Sequence, residues 1–508
     1  MENRTDNYIR NTIWGVISKI IMIFLPFLVR TVLIYCLGIE YVGLSSLFST
    51  ILQVLSLAEL GFGTALVYSM YKPVAENDID TICGLLKLYR NIYYILGSII
   101  LILGLTLIPF FPVLINGPYP NTIEIVPLYL IYLLNTVSSY FMYAYKGSIL
   151  TVYQRNDIKN KISLLCNALM YCIQICVLLL FKNYYVYIIF LPLFTIISNI
   201  AIANCASRMH PECICKGGVS KEKLKEIKKQ VVSLIWQKLG NTIIFSFDNI
   251  VISMALGLVP LGIYSNYYYI YNSIAGLFSI LYEAITAGIG NSIACDSMQK
   301  VKSDFYRFSE INFSLIGFCA GCMLCLYQPF IILWQHNSNV YGFSLPALLV
   351  VLFVVWTSRR MIHTYKDAAG LWEIDKYRPV TEAIVNLCLN LLTVKMLGLD
   401  GIVLSTIISM LFVGMPWEIK CFIGDYFKED LKRYILFWIL NILKITILII
   451  ILFTITYYIH DTSLLSFVLK AIAVLLGSSI LTALFFFKTN GLQSAINYVK
   501  RRLLGLRH

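Results

Sequence analysis

Charged residues are scarce in this sequence. Only 13% of its 508 residues are Asp, Glu, Lys or Arg, whereas 59% are hydrophobic. A soluble domain carries about a quarter charged residues. This chain therefore has too few polar groups to cover a globular surface, and its composition indicates a protein of the lipid bilayer.

Several functional signatures are also missing. No small-residue cleavage site follows the N-terminal segment, so we expect no cleavable signal peptide. The fourteen cysteines are scattered through apolar runs, which is typical of free thiols rather than of a disulfide framework. No nucleotide-binding glycine loop or catalytic triad pattern occurs, and "HPECIC" at 210–215 lacks zinc-ligand spacing. We expect no metal, no bound cofactor and no enzymatic activity.

Long apolar runs, by contrast, recur throughout the chain. Each is long enough to cross a bilayer as a helix, and together they predict an all-α integral membrane protein with fourteen transmembrane helices. The predicted spans are 13–37, 41–70, 89–114, 123–146, 161–181, 184–207, 231–256, 261–290, 309–335, 343–366, 380–398, 400–424, 434–459 and 463–487.

The positive charges predict the orientation of these helices. The net charge is +13, and its Lys and Arg residues cluster in alternate connections, for example at Lys72 and Lys87 and at Lys300 and Lys302. Connections on the opposite side, such as "NGPYPNT", are nearly free of them. The positive-inside rule then predicts that both termini are cytoplasmic. Short clusters between apolar runs also argue against nucleic-acid binding.

A sequence repeat relates the two halves of the chain. "LGIEYVGLSS" begins at Leu37, and "LGLVPLGIYS" begins 219 residues later at Leu256. The repeated unit holds six predicted helices, so both copies enter the membrane in the same direction, around a pseudo-two-fold axis along the membrane normal. The glycines permit sharp turns on the outer side. Paired halves of this kind are typical of alternating-access carriers.

The repeat also predicts the domain organisation. We expect a first six-helix lobe at 1–214, a basic cytoplasmic linker at 215–230 and a second six-helix lobe at 231–424. Two additional helices and a basic cytoplasmic tail follow at 425–508. The linker is either a solvated segment near the lipid headgroups or a binding site for a specific partner.

Ionisable side chains at membrane depth are candidates for function because their burial in lipid is costly. Arg30 and Asp248 precede the two matching outer turns by similar distances. Arg30 either binds a phosphate group through two parallel hydrogen bonds or forms an ion pair with Asp248 that locks the outer gate. Outward snorkelling of Arg30 is a third possibility.

Further candidates lie on other predicted helices. Glu59 is either a carboxylate that couples transport to H⁺ or Na⁺ or a structural group. Arg359, Arg360 and His363 form a cationic stripe with Lys366. The stripe either faces a cavity, where it would attract pyrophosphate, or extends toward the inner headgroups.

The run "SNYYYIYNS" at 265–273 begins the eighth predicted helix. Tyr267 and Tyr268 in this run belong either to an interfacial aromatic belt or to a stacking surface for sugar rings.

Two segments carry a family resemblance. "GLSSLFSTILQVLSLAELGFGTALVYSMYKPVAENDID" and "MLGLDGIVLSTIIS" resemble bacterial polysaccharide-biosynthesis flippases. These are O-antigen and oligosaccharide translocases of the multidrug/oligosaccharidyl-lipid/polysaccharide exporter superfamily. The resemblance implies two six-helix lobes plus two extra helices. It also implies transport of an undecaprenyl-pyrophosphate-linked oligosaccharide from the inner to the outer leaflet of a bacterial cytoplasmic membrane, for O-antigen or capsule synthesis. Related lipid II flippases line their cavity with arginines, and Arg30 occupies the matching region.

The resemblance also implies the partners, which are the lipid-linked oligosaccharide, membrane lipids, a polysaccharide polymerase and chain-length proteins. Two alternatives remain open. A multidrug or cation antiporter of the same superfamily typically has twelve helices. A membrane polysaccharide polymerase usually carries a large outer loop, but the longest outer connection here, near "FPVLINGPYPNTIE", is too short for a folded domain.

Overall fold

The structure is a computed structural model of the chain. It describes residues 4–59, 61–335, 338–371, 373–459, 463–489 and 491–494. The end of the predicted basic tail lies outside the described residues. Where the chain is described it is helical almost throughout and contains no β-strand. It divides into two compact units, Met1–Ser265 and Asn266–His508.

The first unit contains both turns of the sequence repeat, which are predicted to be the outer turns, because its boundary falls inside the twelfth helix. α1 packs on α8, and α11 packs on α2. Phe48, Phe111, Tyr129 and Tyr132 form an aromatic cluster in its core. Its helices are α1 (Arg4–Cys36), α2 (Ile39–Leu55), α3 (Phe62–Glu76), α4 (Ile79–Thr106), α5 (Phe111–Leu114), α6 (Ile125–Phe141), α7 (Gly147–Val152), α8 (Asn156–Phe181), α9 (Tyr184–Ile188), α10 (Phe190–Met209), α11 (Lys221–Leu256) and the start of α12 (Leu258–Cys295).

The second unit holds the rest of α12 and seven further helices among its described residues. α13 packs against α14, α18 and α19. Phe305 lies at the centre of an aromatic cluster with Tyr365, Phe422 and Phe427. The helices are α13 (Met298–Gln335), α14 (Ser344–Ala368), α15 (Arg378–Leu397), α16 (Leu399–Ser409), α17 (Met415–Ile419), α18 (Leu431–Tyr457) and α19 (Leu464–Phe486), with π-helical segments at Met410–Gly414 and Lys420–Tyr426.

The helices confirm the predicted all-α, multi-pass membrane architecture. In the described part of the chain, ten helices are long and apolar enough to cross a membrane, and a bent pair at 125–152 makes up to eleven. Three shorter apolar segments, Ile20–Cys36, Ile39–Leu55 and Ser246–Leu256, occupy the places of the remaining predicted spans. The total of fourteen stays approximate because these three described segments are shorter than a usual span.

The predicted second span is broken in the middle. α2 ends at Leu55, a 3₁₀ turn covers Ser56–Glu59, and α3 begins after Gly61, which has a φ of 107°. A residue with a side chain rarely adopts this backbone conformation, so glycine permits the break. The break places Glu59 where backbone groups leave the regular helical ladder, as in the discontinuous helices of many transporters.

The predicted linker at 215–230 and the residues just before it lie against α4. Lys87 Nζ in α4 donates to the carbonyl oxygen of Gly217 in the linker (3.1 Å). Cys83 Sγ donates to the carbonyl oxygen of Glu212 and accepts from the backbone N–H of Ile214, both at 3.3 Å. The Tyr153 ring stacks on His210 with 3.7 Å between ring centroids. From Lys221 onward the basic residues belong to α11. The connection into α11 is therefore held in place by these contacts.

Candidate functional site

The two outer turns of the repeat pack against each other through their second glycines. A Cβ atom on Gly43 would overlap the carbonyl oxygen of Leu258, and a Cβ on Gly262 would overlap that of Ile39. Each partner lies 219 residues from its counterpart, which is the spacing of the repeat itself. The contact is thus reciprocal, and only glycine allows the two backbones to approach this closely.

Two polar contacts extend this reciprocal arrangement from the turns into the helices. Arg30 in α1 donates from Nη1 to the carbonyl oxygen of Ser265 (2.8 Å) and from Nη2 to Ser265 Oγ (2.7 Å) in α12. Asn249, which occupies the position of Arg30 in the second copy, donates to Thr50 Oγ1 (2.8 Å) in α2. The first helix of each copy therefore contacts the second helix of the other copy.

Asp248 lies beside Asn249 in α11 and is 2% exposed. The hydrogen bonds given above for Arg30 run to Ser265, so the predicted pairing of Arg30 with Asp248 stays a prediction. Either role for Asp248 requires a partner, because a buried carboxylate is stable only when it is paired or hydrogen-bonded.

The Glu59 carboxylate accepts hydrogen bonds from two tyrosine hydroxyl groups at the break between α2 and α3. Tyr93 donates to Oε1 and Tyr140 donates to Oε2, each at 2.5 Å. Tyr93 also lies 3.3 Å from the hydroxyl of Tyr89. The carboxylate is partly buried and held by α4 and α6. It links three helical segments.

Arg359 lies in a closed ionic cluster of the second unit. Its Nε and Nη2 donate to Glu418 (3.0 and 3.0 Å), while Nη1 and Nη2 donate to Glu382 (2.9 and 3.1 Å). The remaining Nη1 donor is directed to the carbonyl oxygen of Met410 (3.4 Å). A guanidinium has five N–H groups, so all of them are used. A pyrophosphate would have to displace a carboxylate.

The other charges of the cluster are also balanced. Arg378 contacts Asp375 (2.9 Å) and Glu382 (2.8 Å), and Lys366 contacts Asp375 (2.5 Å). His363 Nε2 lies 2.8 Å from Glu418 Oε1. Buried charges are tolerated when they are paired in this way. The geometry at Arg359, His363 and Lys366 therefore favours a structural role for these members of the predicted stripe.

Gly414 makes the cluster possible. It ends the π-helical segment Met410–Gly414, and a Cβ atom there would overlap both the Glu382 carboxylate and the Arg359 guanidinium. The wider turn of a π-helix frequently marks a functional or strained position. Here it lets two charged groups lie against the backbone.

Arg360 has different surroundings from its neighbour. Its guanidinium lies 5.6 Å from the ring centroid of Tyr282 and 5.4 Å from that of Trp356, within the range of cation–π attraction. Its Nε is buried without a hydrogen-bond partner, and no ion pair joins it to a residue that the structure describes. Among the described members of the predicted stripe, Arg360 is the one that forms no ion pair with another described residue.

The predicted tyrosines differ in exposure. Tyr267 is fully buried, donates to Gln328 Oε1 (3.1 Å) and stacks on Tyr327. Its ring has no open face for a sugar in this structure. Tyr268 is partly exposed and packs on Tyr271 with ring centroids 5.1 Å apart, so it stays a candidate for either predicted role.

Comparison with known proteins identifies the family of the chain. Residues 8–285, more than half of its length, match the family model described as polysaccharide biosynthesis protein. The chain belongs to this family. The family prediction from the sequence is confirmed. No curated protein matches the chain.

Solved structures show the fold of this family member. It is similar to an inward-facing multidrug resistance MATE family transporter of the MOP superfamily, with a TM-score of 0.60 and 15% identity over 81% of this chain and 96% of that chain. It is also similar to a MOP superfamily transporter from Pyrococcus furiosus, with a TM-score of 0.55 and 15% identity over 84% and 96% of the two chains. These identities are low, so the likeness establishes the fold alone.

Several residues of the site were not predicted from the sequence. Glu382 and Glu418 interrupt the predicted spans 380–398 and 400–424, and ionisable groups at membrane depth are candidates by default. Arg378 and Glu382 are also spaced i, i+4 on one helix. These signals were available, whereas nothing in the sequence connected Asn249 with Thr50.

Proposed function

We propose that this family member moves an undecaprenyl-pyrophosphate-linked oligosaccharide from the inner to the outer leaflet of a bacterial cytoplasmic membrane. Membership of the polysaccharide biosynthesis family and the transporter fold support this function. The single observation that carries the proposal is Arg360, a guanidinium within a membrane-spanning helix that packs on two aromatic rings and has no ionic partner among the described residues.

Arg360 suits a pyrophosphate group for two physical reasons. Tyr282 and Trp356 limit the orientations of the guanidinium, and Tyr282 is itself held by its hydrogen bond to Asn312 Oδ1 (2.7 Å). A planar guanidinium then offers parallel donors to phosphate oxygens. Arg360 lies eight residues before the end of α14, or about 12 Å from the predicted cytoplasmic end, where the substrate would enter.

The positive charge of Arg360 also distinguishes the candidate substrates. A cationic drug would be repelled by Arg360, whereas a pyrophosphate would be attracted. The observation therefore favours the anionic lipid-linked sugar over the multidrug or cation antiporter. The sugars themselves would be recognised by other groups, for which Tyr268 is a candidate.

The reciprocal glycine contact gives the proposed cycle an outer closure. Opening would separate Gly43 from Leu258 and Gly262 from Ile39, and it would release Arg30 from Ser265. The two Arg30 donors that now bind Ser265 would then be directed to the pyrophosphate on the predicted outer side.

Outward movement of an anion requires an energy source. The membrane potential, negative inside, opposes it by about 2.3 kcal/mol per charge per 100 mV. We propose that Glu59 couples transport to countermovement of H⁺ or Na⁺, because its carboxylate lies at a helix break beside two tyrosine hydroxyls. A polysaccharide polymerase and chain-length proteins would act on the product outside.

Binding of undecaprenyl pyrophosphate to the purified protein in nanodiscs tests the proposal. Loss of a hydrogen-bonded charge costs about 1.5–3 kcal/mol, so Arg360→Gln should weaken binding by roughly 10–100-fold. Arg360→Lys should recover only part of it, because an ammonium lacks the planar fork. Lys376→Gln is the matched control, since Lys376 is an exposed cation over the ring of Tyr377. Unchanged binding by Arg360→Gln would refute the proposed role of Arg360.

A further inference from the structure

A polar pocket of about 700 Å³ lies in the second unit, and its lining includes neither Arg360 nor a member of the ionic cluster. It is formed by the first turns of α13, the residues before α18, the start of α18 and Ser494, which follows α19. Its charged and hydroxyl lining includes Lys302, Tyr306, Arg307, Glu310, Glu429 and Arg433. None of these residues has a part in the proposed transport cycle.

The carboxylates of this pocket are occupied by protein donors. Glu429 accepts from the Tyr306 hydroxyl (2.7 Å) and lies 3.7 Å from Lys302 Nζ. Glu310 accepts from the backbone N–H of Gly491 (2.7 Å). Both acidic groups therefore have partners before any ligand binds.

The cations of this pocket have fewer partners within the protein than the carboxylates have. Arg307 is 44% exposed and pairs with Asp304 at 3.3 Å. Arg433 is exposed and forms no ion pair with a described residue. Three cations and two carboxylates line the pocket, and Asp304 beside it neutralises Arg307. The positive charge of Arg433 therefore remains without an ionic partner among the described residues and lies at the open space of the pocket. An anionic group is the ligand that this arrangement favours.

The pocket lies at the depth of lipid headgroups. α13 has 38 residues, which corresponds to about 57 Å of helix, whereas a bilayer with its headgroup regions is about 40–45 Å thick. The first turns of α13 therefore extend beyond the hydrocarbon core, on the side that the Lys and Arg distribution predicts to be cytoplasmic. The start of α18 lies beside them.

An apolar surface continues from the pocket along α18. Ile435, Leu436 and Ile439 follow Arg433 and are 41%, 57% and 48% exposed. Such residues are suited to contact with acyl chains. A cation at the headgroup level followed by an exposed apolar helix face is the pattern that an anionic phospholipid requires.

We propose that this pocket binds the phosphate headgroup of an anionic phospholipid of the cytoplasmic leaflet. Arg433 and Arg307 donate to the phosphate oxygens, Lys302 adds a third positive charge, and the acyl chains lie against α18. Basic pockets between transmembrane helices on the cytoplasmic side commonly hold such headgroups. In this protein one of the two extra helices, α18, supplies Arg433 and so completes the site.

Native mass spectrometry of the full-length protein tests this assignment. The protein is purified from membranes, exchanged into detergent with equal amounts of phosphatidylglycerol and phosphatidylcholine, and the retained lipids are counted. We expect phosphatidylglycerol to be retained. Arg433→Gln and Lys302→Gln should each weaken its retention roughly fivefold. Lys300→Gln is the matched control, because Lys300 lies on the same helix, is 59% exposed, pairs with Asp296 and does not line the pocket.

Three outcomes would overturn the proposal. One is equal retention of phosphatidylglycerol by the pocket variants and the control. The second is equal retention of phosphatidylcholine by the unmodified protein. The third is complete displacement of the lipid by inorganic phosphate at millimolar concentration, which would show that the pocket takes a soluble anion. Arg307→Gln, at a largely exposed position, replaces either variant that fails to purify as a single species.

Discussion

Arg359 and Arg360 are neighbours in the chain, yet their guanidinium groups have opposite surroundings. Arg359 uses all five of its donors on two carboxylates and one carbonyl oxygen. Arg360 lies between two aromatic rings and keeps a buried Nε without a partner. Adjacent helical positions point about 100° apart, so one residue can stabilise the fold while the next remains available to a ligand.

Substitutions of Glu59 test its contribution to stability separately from its contribution to transport. Glu59→Ala leaves the hydroxyls of Tyr93 and Tyr140 without their acceptor, at a cost of about 1–3 kcal/mol each. We expect a lower melting temperature for the purified protein. Glu59→Gln keeps an oxygen acceptor and should melt close to the unmodified protein, but it cannot release a proton.

Transport assays then decide the role of Glu59. Flipping of a lipid-linked sugar in proteoliposomes under an imposed proton or sodium gradient should fail in Glu59→Gln. Tyr93→Phe is the control, since it removes one hydrogen bond and keeps the carboxylate. Gradient-driven flipping by Glu59→Gln at the unmodified rate would assign Glu59 a structural role only.

The π-helical segment that ends at Gly414 brings the backbone close to the buried Arg359 and Glu382 side chains. Because a methyl group there would overlap Arg359 and Glu382, Gly414→Ala should separate buried charges and cost about 3–5 kcal/mol. Gly288→Ala is the matched control, because nothing lies near a Cβ at that helical position. Thermal unfolding in detergent measures both variants, and equal melting temperatures would contradict this account of the cluster.

The connection between α10 and α11 gives a pH-dependent prediction outside the membrane. Burial raises the pKa of the Cys213 thiol to about 11. Maleimide reacts with the thiolate, so labelling of Cys213 should be slow at pH 7 and rise about tenfold per pH unit until the pKa is approached. Site-resolved mass spectrometry can compare it with the partly exposed Cys215. Equal labelling of the two at pH 7 would show that the connection is not packed as described.

The helices and their contacts also show which structural features can be predicted from the sequence alone. Apolar runs and turn glycines are local signals, and they predicted the spans and the repeat. The partners of Arg359 lie 23 and 59 residues away on other helices, and no local pattern connects them. The break beside Glu59 was missed because its flanking residues are apolar enough to continue one span. Charge neutralisation and helix breaks depend on tertiary packing, which a single sequence does not encode locally.

At the scale of the whole molecule, the repeat gives a prediction about symmetry. Gly43→Ala and Gly262→Ala each place a methyl group against the backbone of the other turn. Overpacking of this kind costs about 1–3 kcal/mol, so both variants should favour the open outer side by roughly tenfold. A cysteine at the buried Leu258, in a Cys36→Ser background, reports the opening through a membrane-impermeant maleimide.

The two glycine variants should label to a similar extent, because their contacts are reciprocal. Gly276→Ala is the control, since a Cβ at this position in α12 meets open space. If only one glycine variant increased the labelling of Leu258→Cys, the reciprocal contact would not be what holds the outer turns together.

The reciprocal contact also has a consequence for biosynthesis. Gly43 and its partner turn are separated by more than 200 residues, and a ribosome adds about 5–20 residues per second. The first turn therefore waits on the order of 10–40 s after its own synthesis before the second turn exists. During that interval the membrane-insertion machinery has to protect an apolar helix face with no partner. A slow codon or a pause between the two turns would lengthen this exposure, so translation speed between the copies should influence the yield of folded protein.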